Sequence, residues 1–160
     1  MSACHHALAR LSTGTADTTN MDERADIKIH VRFKLSALWA SLMFCYVYAD
    51  YYQLYQPGHV LSMLRGMMGP FAATPGVLLA LAPVVAIPAL MIFLSLVLPA
   101  SAARLLNIAL AVIFTVIDIM TMIGSWSYYV FFNAIETALT LLILWYAVRW
   151  AAPMGMSKKS

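Results

Sequence analysis

Three carboxylic acids stand inside long apolar stretches of this sequence: Asp50, Asp118 and Glu136. An ionisable group within a membrane-length apolar segment is expensive and by default raises a question of function. In a helix, residues three and four apart share a face. Asp50 then lines up with Ser36, Trp39, Met43, Tyr46 and Gln53. Asp118 lines up with Asn107, Ala111, Phe114, Thr121 and Ser125, and Glu136 with Tyr129, Asn133 and Thr140. Each acid thus shares its stripe with hydrogen-bonding neighbours. Polar faces turn inward in a membrane bundle because lipid cannot satisfy them. The expected product is an intramembrane polar seam of Asp50, Asp118, Glu136, Tyr46, Gln53, Asn133 and Thr121, with Asp50 and Asp118 at similar height and Glu136 below them.

No lysine or arginine occupies the middle of any apolar segment. The acids must therefore be protonated, hydrogen-bonded, hydrated or bound to a cation. Two chemistries compete for such a seam. Interhelical hydrogen bonds can simply hold helices together, at about 0.6 kcal/mol each and up to roughly 2. Alternatively, the carboxylates form a proton or cation site. Packing, or assembly with a partner, is the first reading. A small proton- or cation-linked transporter is the alternative, and a membrane subunit of a redox or lipid-processing complex is the second alternative.

Other chemistry finds little support. Haem ligation needs an axial ligand such as histidine, yet His5, His6, His30 and His59 all lie outside the apolar segments. Histidine clusters suited to zinc or di-iron are missing for the same reason. There is no Gly-rich phosphate loop and no nucleophile elbow. Cys4 sits in a polar tail and Cys45 inside the first apolar run, a spacing without a redox motif. The expectation is a protein that is not an enzyme and carries no cofactor or metal. Its expected partners are membrane lipids and either a second copy of itself or another membrane protein, with no nucleic acid.

The elements that must position the acids follow from composition. Of 160 residues, 62% are apolar and 11% charged, against about 45–50% and about 25% in soluble domains. Mean hydropathy is +0.80. Four apolar segments stand out, at about 35–55, 76–98, 103–123 and 126–150, each long enough to cross a hydrocarbon core of roughly 30 Å. The fold class is therefore all-α, a polytopic membrane protein with four transmembrane helices in an antiparallel bundle. Pro57-Gly58 ends the first segment, and 59–73 forms a loop or a short interfacial helix. Pro83 and Pro88 should kink the second segment, while Gly76/Ala80 and Ala82/Ala86 suit close helix packing.

Four crossings put both ends on one side. Lys28, Arg32, Lys34, Arg104, Arg149, Lys158 and Lys159 fall on that side, and only Arg65 on the other. The positive-inside rule then makes both termini cytoplasmic, in a cytoplasmic membrane. Residues 1–27 read as a disordered cytoplasmic tail in which Met21 could be the native start, 28–150 as the transmembrane domain, and 151–160 as a second cytoplasmic tail.

Several segments carry a resemblance: Lys34-Leu35-Ser36-Ala37-Leu38-Trp39, Tyr46-Val47-Tyr48-Ala49-Asp50, Pro57-Gly58, Tyr128-Tyr129-Val130-Phe131-Phe132 with Glu136, and Leu144-Trp145-Tyr146-Ala147. Together they resemble a bacterial family of small four-helix membrane proteins classed only as a domain of unknown function. The resemblance covers about residues 28–150. It implies that the acids of the first and last helices, Asp50 and Glu136, are the recurring polar features, and it carries over less clearly to Asp118. It brings no activity with it. A more distant likeness to DoxX-type membrane proteins rests on architecture alone, which does not transfer function.

Overall fold

A computed structural model describes residues 29–150. The two expected tails and the Met21 start lie outside the described residues. Four helices of 23 residues each dominate: α1 (Val31–Gln53), α3 (Pro75–Val97), α4 (Ala100–Met122) and α5 (Ser127–Arg149). Between the first two come a short helix, α2 (His59–Leu64), and a small antiparallel hairpin of β1 (Met67–Met68) and β2 (Phe71–Ala72). At about 1.5 Å per residue, each long helix measures about 35 Å.

Three of them, α3, α4 and α5, are long and apolar enough to cross a membrane, with mean hydropathies of 2.7, 2.2 and 1.6. That is the signature of a multi-pass membrane protein. The first helix has the same length, but its tyrosines, Trp39 and Asp50 make it less apolar.

Local chemistry sets the boundaries. Thr74 caps α3 by accepting the N–H of Val77, and Pro75 fills the first helical position, where its missing N–H costs nothing. Gly69 turns the hairpin and Gly124 separates α4 from α5, both with positive φ (+56° and +76°) that a side chain would strain. At the other end of the long helices, α1 starts a turn earlier than expected. Arg32 and Lys34 lie inside it rather than ahead of it. Arg32 donates to the carbonyl of Leu96 in the last turn of α3 (2.9 Å), and Arg104 donates to that of Val148 in the last turn of α5 (3.1 Å). Those carbonyls have no partner within their own helix and carry the negative end of its dipole, so a cation suits them. Arg32 also lies over Trp150, Lys34 over Tyr146 and Arg149 over Trp145.

The core lies between α1 and the later helices. Trp39 is fully buried and meets Phe114 edge to face at 6.0 Å, with Leu35, Leu42, Met91 and Ile143 around them. Its indole N–H donates to Asn107 Oδ1 (2.7 Å), which fixes the orientation of that amide, because an indole can only donate. The Asn107 NH2 group donates to the carbonyl of Ala103 (2.7 Å) and to Ser95 (3.3 Å). Three helices are tied at one buried point with every polar group satisfied.

The expectation of close packing at Gly76/Ala80 and Ala82/Ala86 is not met within the chain. All four residues are exposed, and no atom lies within 4 Å of a Cβ built on Gly76. The helix passes through Pro83 and Pro88 without interruption and buries only Pro88, Met91 and Ser95. Its ties to α1, from Ser36 to the carbonyl of Ile92 (2.8 Å) and from Arg32 to that of Leu96, both fall in its second half. Among the described residues, the first half has no comparable attachment.

Trp39→Phe should lower thermal stability in detergent, and a double-mutant cycle with Asn107→Leu should give a coupling of about 0.6 to 2 kcal/mol. A cycle with no coupling would contradict the bonding described.

Candidate functional site

Near the hairpin end, α1, α4 and α5 bring the acids together unequally. Two interhelical hydrogen bonds set the register between α4 and α5. Thr115 donates to Thr140 (2.8 Å), and one turn or more closer to the hairpin Thr121 donates to Asn133 Oδ1 (3.0 Å). Asp118 and Glu136 fall at the same level between these rungs. Tyr46 of α1 reaches the same layer and donates its hydroxyl to Asp118 Oδ1 (2.8 Å). The expected order of heights is therefore corrected: Asp118 pairs in level with Glu136, and Asp50 lies about one turn nearer the hairpin.

Burial separates the acids further. Asp118 and Glu136 are 2% and 3% exposed, whereas Asp50 is exposed. Among the described residues, Asp50 accepts a hydrogen bond only from its own helix, from Gln53 Nε2 at 3.3 Å. The buried stripe of α1 runs through Leu35, Trp39, Leu42 and Ala49, which is 3% exposed, and Asp50 lies one residue off it. Of the seven expected seam residues, Tyr46, Asp118, Asn133, Thr121 and Glu136 are drawn into one layer and its upper rung. Asp50 and Gln53 form its rim.

The layer is incompletely satisfied. Asp118 Oδ2, Glu136 Oε1 and the hydroxyl of Thr137 are buried without a hydrogen-bond partner among the described residues. A buried polar atom without a partner costs about 1–3 kcal/mol, and more if charged. This contrasts with the Trp39–Asn107–Ser95 knot, where every donor and acceptor is used. Buried polar groups left open in a native fold need an explanation such as catalysis, an ion or a water.

A cavity of about 140 Å³ supplies room for one. It is lined by the three acids together with Tyr46, Thr121 and Tyr129, and Val84, Val85 and Ile117 give it an apolar side. At about 30 Å³ per liquid water, several waters fit. Because exposed Asp50 and buried Glu136 line the same space, the cavity joins the rim to the closed layer. Among the described residues, no group of three or more His, Cys, Asp or Glu is placed to hold a metal ion. The arrangement suits exchange of a proton, or of a small cation held by one or two carboxylates and neutral oxygens.

Sequence reasoning missed Ser95, Thr115 and Thr137. Ser95 joins a buried hydrogen bond and Thr115 a half-buried one, but both lie among apolar residues without an acid to draw notice. The signal that could have found Thr115 is its match in depth to Thr140 across the α4–α5 turn.

A contrast in stability tests the division between knot and acid layer. Asn133→Leu removes the bond between α4 and α5, leaving the Thr121 hydroxyl on the Asp118 carbonyl of its own helix (3.0 Å), and should cost about 1 kcal/mol. Glu136→Gln keeps the volume and removes an unpartnered acid, so it should leave thermal stability in detergent unchanged or raised. A large loss in Glu136→Gln would mean that the acid holds the helices together.

The chain belongs to a family of unknown function (DUF6326), whose model matches residues 26–155. No curated protein and no solved structure matches it.

Proposed function

We propose that this member of a family without an assigned activity is a four-crossing membrane protein whose Asp118–Glu136 layer binds and releases a proton or small cation, as part of a transport cycle. The observation that carries the reading is the buried, unpartnered Glu136 Oε1 in a cavity that reaches exposed Asp50. A core built for packing alone would close such a group with a donor, as the Trp39–Asn107–Ser95 knot is closed. The packing role belongs to that knot, and the acid layer carries the exchange.

Four crossings in an antiparallel bundle are supported by the ties of α1 to every later long helix. They run from Arg32 to α3, from Trp39 and Tyr46 to α4, and from Gln56, just past the end of α1, to Tyr128 of α5. The charge distribution favours both termini in the cytoplasm and the hairpin outside. In this reading the chain makes and breaks no covalent bond, needs no cofactor, and works in contact with lipid, alone or as a homodimer.

Flux measurements in liposomes test the proposal. The purified protein should dissipate an imposed gradient of protons or of a monovalent alkali cation. Asp118→Asn and Glu136→Gln should each slow that flux at least tenfold while retaining a monodisperse, thermally stable fold. No flux in the parent for either kind of cation, or full flux in the double variant, would overturn it.

A further inference from the structure

The acid layer has a neighbour on the hairpin side. A larger cavity of about 550 Å³ is lined by Gln53, Gln56 and His59 from the end of α1 and the start of α2, by Gly69 and Pro70 of the hairpin, and by Trp126. It shares two wall residues with the acid cavity, Thr121 and Tyr129. Both residues face the acids from one side and the hairpin end from the other. Each is fixed in place. Thr121 is held by its bond to Asn133, and Ser125 one turn on donates to the Thr121 carbonyl. The Tyr129 carbonyl accepts from Asn133 Nδ2 (3.0 Å), and its ring packs edge to face on Tyr128 at 6.2 Å.

On the far side of the layer a groove of about 420 Å³ along Leu141, Leu144, Trp145, Val148 and Arg149 shares no residue with the acid cavity. On that side Trp39, Leu42, Phe114 and Ile143 are each at most 2% exposed and pack as one cluster, and Thr140 is sealed by Thr115. A hydrated ion would have to pass a dry aromatic plug, at the desolvation cost that apolar surroundings impose on charge. The hairpin side offers amides, an imidazole and hydroxyls instead.

We propose that Thr121 and Tyr129 form the neck of a hydrated path from the hairpin-side vestibule to Asp118 and Glu136, which in this conformation admits protons or small monovalent cations from that side. Vestibule, neck and acid layer form one polar route, and the Trp39–Phe114 cluster is its closed end. Asp50 at the rim attracts cations towards the neck. The inference rests on the cation-exchange reading for its ligand, but its geometry is tested without transport.

The experiment is labelling of single cysteines in the full chain with Cys4 and Cys45 replaced by serine. The probe is a trimethylammonium methanethiosulfonate, which is cationic and does not cross membranes. Met67→Cys in the hairpin marks the side of application. From that side, Ser125→Cys in the vestibule and Glu136→Cys in the layer should both be labelled, with Asp118→Cys as the second reporter of the layer if the Glu136 variant does not fold. Ala111→Cys, beside the plug, should stay unlabelled from either side. Tyr129→Ala should speed labelling at position 136 or 118 at least fivefold and leave position 125 unchanged. The path is overturned if folded position 136 and 118 variants stay unlabelled with both Tyr129 and Tyr129→Ala, if they react only from the opposite side, or if Tyr129→Ala changes nothing. Labelling without flux in the parent would sink the transport reading and keep the path. Flux without labelling from the hairpin side would do the reverse.

Discussion

Hydrocarbon offers no hydrogen bonds, so a polar group within it must be satisfied by the protein itself. The buried amide of Asn107 shows what this demands. It takes the Trp39 indole from α1, the Ser95 hydroxyl from α3 and a backbone carbonyl from its own helix. One side chain thereby fixes three helices in rotation and depth. Individually such bonds contribute about 0.6 kcal/mol. Their effect on specificity is larger, because any slip of one helix along another would strand several groups at once. The acid layer is positioned by this knot and by the two threonine rungs, and it is held in place without being neutralised.

Much of this was legible in the sequence, because the membrane imposes simple rules. Length and hydropathy gave the long helices to within a few residues. The three-and-four spacing put Asn107, Ala111, Phe114 and Asp118 on the buried face of α4, and Asn133, Glu136 and Thr140 on that of α5. The same rule misjudged Asp50. The buried stripe of α1 runs through Leu35, Trp39, Leu42 and Ala49, and Asp50 is one residue off it, so Ala49 is enclosed at the same height while the carboxylate stays open. The small residues of α3 failed for another reason. Gly76, Ala80, Ala82 and Ala86 permit close approach, but nothing in their own sequence supplies a helix to approach.

The level of Glu136 with Asp118 was hidden as well. It depends on how α4 and α5 are set against each other, and that is fixed by Thr115–Thr140 and Thr121–Asn133 across Gly124. Counting residues in from each membrane face carries an error of about a turn, roughly 5 Å. For acids that interact only when close, such an error separates a pair from two unrelated groups.

The modest hydropathy of α1 has a consequence for biogenesis. On the four-crossing reading, α1 leaves the ribosome before the helices it needs, and its tyrosines and Asp50 weaken its partition into lipid compared with α3 or α4. Trp39 and Tyr46 find their acceptors only when Asn107 and Asp118 have been synthesised, almost half the chain later. On that reading the partners that fix the first helix, Asn107 and Asp118, become available to it only with α4.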